Sequence, residues 1–203
     1  SADATINSVT VGKGANSVTN NTVLGLNALD GSVSGDNNTA IGSGALTDLT
    51  SGSRNTAVGT NALANVTSGT ANVAFGVNAL FDNTGSNNTG LDAALFENSS
   101  GGNNVAIGKN ALLENTSASN NTACGYLALT LNTTGHSNVA VGKNSLAANT
   151  SASNNTAVGM NSLDANTTGA ENTAIGKDAL SNNTTADNNI AVGKDSLKIN
   201  TTG

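Results

Sequence analysis

The chain has 203 residues with no Pro or Trp, one each of Tyr, Met, Cys and His, three Phe, and a formal net charge of −6 from thirteen acidic and seven basic residues. It carries no basic stripe with interleaved aromatics, which excludes the usual nucleic-acid surface, and no apolar run approaches the roughly 20 residues of a membrane-spanning helix. Low charge and few large apolar residues would suit a disordered chain, but strict internal repetition points to ordered stacking of like units.

Residues 1–20 read as an atypical N-terminal coil or cap, and residues 21–203 as a repeat solenoid. Gly12, Gly25, Gly42, Gly59, Gly76, Asp92, Gly108, Gly125, Gly142, Gly159, Gly176 and Gly193 mark the repeat, mostly 17 residues apart. The two spacings that flank Asp92 are 16, and the first spacing is 13. Four residues before each landmark from Gly25 onward stands an Asn: Asn21, Asn38, Asn55, Asn72, Asn88, Asn104, Asn121, Asn138, Asn155, Asn172 and Asn189. Identical amides stacked in register predict a structural Asn ladder along the axis.

Between that Asn and the landmark lies a strand of the type Thr-Ala-Ile. Alternation puts its first and third residues on one face and the small Ala on the other. Ile41, Val58, Phe75, Ile107, Val141, Val158, Ile175 and Val192 are assigned to the core from the column before the landmark. Cys124 falls in the same column and reads as a small core residue. The glycine then permits a corner. A second core column follows, with Leu46, Leu63, Leu80, Leu112, Leu129, Leu146, Leu163 and Leu180. The Asn-Ala-Leu segment fits either a helical turn or a second short strand.

The fold class that results is all-β: a parallel β-solenoid, or β-roll, of about eleven coils and near 50 Å in length. The Ile/Val and Leu columns barely offset the cost of ordering the backbone, so the expected partner is another copy of the chain, as a homo-oligomer or a head-to-tail filament. The chain opens at Ser1 without a signal peptide, which suggests a mature or excised product. It halts at Asn200-Thr201-Thr202-Gly203, where a further coil would begin, so stacked protomers or more chain are expected there.

The stretches Asn104-Val105-Ala106-Ile107-Gly108 and Asn138-Val139-Ala140-Val141-Gly142 resemble the head repeats of YadA-type trimeric autotransporter adhesins. The longer pattern with Asn-Ala-Leu and Asn-Thr-Thr-Gly resembles repeat arrays of tail-fibre-like bacterial and phage surface proteins. The resemblance covers the chain from about Asn21 onward. It implies a trimeric, left-handed β-roll on an extracellular fibre, used for adhesion or as a stalk. The repeat here is longer than that of the adhesin heads.

No enzyme signature, cofactor or metal motif stands out. His136 lies alone in a loop, Asp is scattered rather than recurrent, and Gly12-Lys13-Gly14 and Gly42-Ser43-Gly44 lack the strand-turn-helix setting of a phosphate site. Lys109, Lys143, Lys177 and Lys194 share a column that reads as a solvated edge. Asn98, Asn115, Asn132, Asn149, Asn166 and Asn183 each open an Asn-x-Ser/Thr triplet and are formal glycan acceptors. The hydroxyl file from Thr50 and Thr67 to Thr184 and Thr201 is also similar to an ice-binding face. The function expected is an extracellular structural fibre, stalk or filament, on a cell surface or virion. An adhesin head for a host surface or glycan and an ice-binding solenoid are the alternatives.

Overall fold

The computed structural model describes residues 4–7, 9–14 and 18–201; parts of the expected cap (1–3, 8 and 15–17) and the last two residues lie outside them. Short strands recur once per repeat because only Thr/Val-Ala-Ile/Val is both β-branched and alternating. They are β1 (Ala4–Ile6), β2 (Val9–Gly12), β3 (Thr22–Gly25), β4 (Thr39–Ile41), β5 (Thr56–Val58), β6 (Val73–Phe75), β7 (Asp82–Asn83), β8 (Thr89–Leu91), β9 (Glu97–Asn98), β10 (Val105–Ile107), β11 (Thr122–Cys124), β12 (Val139–Val141), β13 (Thr156–Val158), β14 (Thr173–Ile175) and β15 (Ile190–Val192). From β3 onward all but β7 and β9 pair parallel and in register, mostly Ala on Ala, into one wall of a β-solenoid, while β7 and β9 form a separate two-stranded sheet. The N-terminal end is closed differently: β1 and β2 form an antiparallel hairpin that lies antiparallel on β3. No helix among the described residues is long and apolar enough to cross a membrane.

The core is built from other residues than expected. Ala40, Ala57, Ala74, Ala106, Ala123, Ala140, Ala157, Ala174 and Ala191 point inward and are buried, together with the Leu column from Leu29 to Leu180. Ile41, Val58, Phe75, Ile107, Val141, Val158, Ile175 and Val192 face outward instead, Phe75 at 60% exposure and Val192 at 65%. Cys124 lies on the same outward face. The reason is width. The rest of the coil supplies a Leu, the ladder Asn and a second inward residue, Asn in most coils and Leu49 or Val66 in two earlier ones, and from β4 onward the space left for the strand holds an Ala or Gly90. At Gly90, which replaces the Ala, even an added Cβ would stand 3.0 Å from Cγ of Leu80.

The segment after the glycine is neither helix nor strand. It is a chain of turns in which two residues adopt the left-handed conformation, the Asn column (Asn61 at φ 55) and the buried Leu itself (Leu129 at φ 53, Leu163 at φ 51). A left-handed Leu costs about 1–2 kcal/mol; full burial of its side chain contributes about 1.5–3 kcal/mol and holds it there. A third left-handed residue precedes the ladder Asn, as at Asn20, Asn37 and Asn120. The corner glycines are needed for close approach as well: a Cβ on Gly142 would sit 2.6 Å from the carbonyl oxygen of Gly159 in the next coil.

The two 16-residue coils stay in register because each drops one residue at a corner. After Gly76, the chain is one residue shorter between Asn83 and Gly85; after Asp92, Leu95 comes one residue early. The flat side between them survives, with Phe81 stacked on Phe96 at 5.1 Å and β7 paired parallel to β9.

Candidate functional site

The chemistry of this molecule is concentrated inside it, in asparagine. Each Asn from Asn38 to Asn189 that precedes a strand donates its backbone N–H to Oδ1 of the equivalent Asn one coil earlier, at 2.8–3.0 Å. Asn21 starts this file as an acceptor. Each side chain from Asn21 to Asn172 also donates from Nδ2 into the following coil, as Asn138 does to the carbonyl of Ala152 at 2.8 Å, whereas Asn189 donates to the Asp187 carbonyl just before it. The file is therefore backbone to side chain, with direct amide–amide bonds only at some steps, such as Asn55 to Asn38 at 3.1 Å.

A second ladder runs parallel to the first. Asn98, Asn115, Asn132, Asn149, Asn166 and Asn183 are all fully buried and donate Nδ2 to Oδ1 of the preceding member, beginning at Asn83. These are the expected glycan acceptors. Their Nδ2 atoms are sealed in the interior and already committed twice, so the folded solenoid offers them to no glycan. The column shows its inward direction elsewhere in the chain: Leu49 and Val66, both buried, occupy it in earlier coils.

The two ladders meet on one carbonyl per coil. The oxygen of Gly135 accepts from Asn121 and Asn132, both at 2.9 Å, that of Ala152 from Asn138 and Asn149, and that of Gly169 from Asn155 and Asn166. Gly101, Ala118 and Ala186 repeat the arrangement. A carbonyl with two lone pairs is thereby saturated, and two buried amides are fixed by a single backbone atom. The second ladder stops at Asn183, because Asn200 donates to Asn189 instead and leaves Asn183 Oδ1 without a donor.

The hydroxyl file that resembled an ice-binding surface is also occupied. Thr50, Thr116, Thr133, Thr150 and Thr167 each donate Oγ1 to a main-chain carbonyl of the next coil, and Thr84 does so to Ser99. His136 takes the same part in its loop: its Nδ1 accepts the Ser119 N–H at 3.0 Å.

Charges gather near the last coils. Asn144 donates to Asn161, and Asn161 to Asp178 at 3.0 Å. That bond, with the Lys198 and Lys177 ammonium groups beside it, holds the Asp178 carboxyl below its ordinary pKa. Lys198, bonded to Asp195 at 3.1 Å, draws that carboxyl down and is itself raised. Asp164 is shifted the other way, upward, chiefly by burial, and its Oδ1 has no partner. Of the lysine column, Lys177 pairs with the half-buried Asp178 and Lys194 with the exposed Asp195.

The surface itself is divided. The outward columns of the sheet carry Thr, Val, Ile, Leu, Phe and Cys and no charged residue, while charges lie at its borders. No protein-family model matches the sequence, and neither the curated proteins nor the solved structures show a match to it.

Proposed function

We propose that this chain is a structural rod: a repeat segment of an extracellular fibre or stalk, on a cell surface or virion, which works by holding a fixed length and associating with copies of itself, and catalyses no reaction. The observation that supports this most is the unbroken axial bonding. Every repeat from Asn21 to Asn189 is joined to its neighbour by the first ladder in the same way. A molecule whose interior polar chemistry is spent on coil-to-coil bonds is suited to spanning a distance.

The test is to shorten the rod. Deleting residues 110–143 removes two whole periods and joins Lys109 to Asn144 in the native column order. The expected product stays folded and is about 10 Å shorter, with unchanged cross-section, by small-angle scattering. A product that unfolds, or keeps its length while its cross-section changes, would overturn the rod reading.

A further inference from the structure

Among the described residues, the outward face of the sheet is the one large apolar surface whose cover is missing, and its borders say what the cover is. We infer that a second copy of this chain packs on it, face to face, with the two rods parallel and each coil level with its counterpart. This rests on the self-association proposed above and names the surface that carries it.

Size is the first argument. Eleven parallel strands, the 13 of the sheet less β1 and β2, spaced about 4.8 Å apart and five residues wide with the flanking positions, present roughly 850 Å². Stable interfaces bury about 800 Å² per partner, and an exposed apolar patch beyond a few hundred Å² marks an interaction surface. Ile107, Val139, Val141 and Ile175 stand 36–41% exposed along it, with Phe75 and Val77 at about 60%. Their β-branched, charge-free columns suit the dry interdigitation of two sheets.

The borders fix orientation. Lys177 and Glu171 lie at opposite ends of β14, and Lys194 and Asp187 at opposite ends of β15; all four are exposed. Turning a copy by half a turn about an axis along the rod reverses its strand direction and keeps coils level. Lys177 then faces the partner's Glu171, Lys194 faces the partner's Asn188, whose neighbour in the chain is Asp187, and Val77 faces the partner's Ala71. Reversing the rod instead sets Lys109 of the central strand against the same residue of the partner subunit, and Lys143 and Lys194 against apolar Val77 and Leu26. Charge favours the parallel arrangement.

The experiment uses the intact chain. Its mass is measured by light scattering across concentration, beside a variant carrying Ile107→Lys, Val141→Lys and Ile175→Lys, with circular dichroism confirming that the variant keeps its β-structure. The expected result is a mass of more than one chain for the parent and of one chain for the variant. Alkylation of Cys124, which lies on the same face, is expected to be slow in the associated parent and fast in the variant. Lys177→Glu is expected to weaken association roughly tenfold, and adding Glu171→Lys to restore it. A parent that stays a single chain at every concentration would overturn both this inference and self-association. Association that the triple variant leaves intact would overturn this face alone. A charge swap without rescue would overturn the parallel register.

Discussion

At the scale of single residues, the interior is held by amides that have no slack. Asn149 donates to Asn132 and to the Ala152 carbonyl, and its own Oδ1 accepts from Asn166. Asn149→Ala would leave the Asn132 Oδ1 without its ladder donor and the Asn166 Nδ2 without its ladder acceptor, both buried, for a loss of about 3 kcal/mol in urea unfolding. Asp164 is the opposite case. Its folded pKa lies above its unfolded value because burial penalises the ionised form. The penalty is therefore present above the folded pKa and disappears as pH falls to the ordinary carboxylate value. Ala147 stands in the same column one coil earlier. Asp164→Ala is expected to raise the unfolding midpoint at neutral pH, with the gain shrinking as pH falls and gone by about pH 4.

At the scale of the element, a strand of three residues sits on a coil that over most of its length has room for little more than Ala, with Val23 in the column next to the N-terminal hairpin. Ala140→Leu should cost about 1–3 kcal/mol by overpacking, whereas its neighbour Val141→Thr, facing outward, should move the unfolding midpoint of the isolated chain by less than about 0.5 kcal/mol. A denaturant titration of the two side by side measures which way the strand faces. This is also where sequence reading succeeds and fails. The period, the Asn column and the Leu column are visible because each recurs in register. Alternation in Thr-Ala-Ile is equally visible, but it says only that two faces differ. The large residues were placed inside by the ordinary rule that apolar side chains are buried, and that rule fails where the rest of the coil already fills the interior, with Leu80 and two Asn in one case. The second ladder was hidden for a different reason: Asn followed by Thr and Ser reads as a modification triplet. The interchange of Asn83 with Leu49 and Val66 in one column was the signal that it points inward.

At the scale of the whole molecule, each coil touches only its two neighbours, so stability adds coil by coil and not through one common core. The 110–143 deletion variant accordingly should unfold with a smaller denaturant dependence, in proportion to the surface it no longer buries, while its remaining coils keep their structure. The closed N-terminal hairpin and the exposed last coil, where Ile190 and Ile199 are 73% and 84% accessible, make the two ends unequal in this respect. The strip on the sheet runs along the length between them, so whatever covers it ties many coils together at once.

The direction of the hydrogen bonds has a mechanical consequence. Every ladder bond and every strand pair points along the long axis, from one coil to the next. Tension applied through the two termini therefore opens one coil at a time, as a zipper does, and does not shear the rod as a unit. Each rupture frees about 17 residues, which lengthen from a rise of roughly 5 Å to a contour of roughly 58 Å. A single molecule pulled between its ends would give a train of even, small force peaks and would shorten again, step by step, as the load was released.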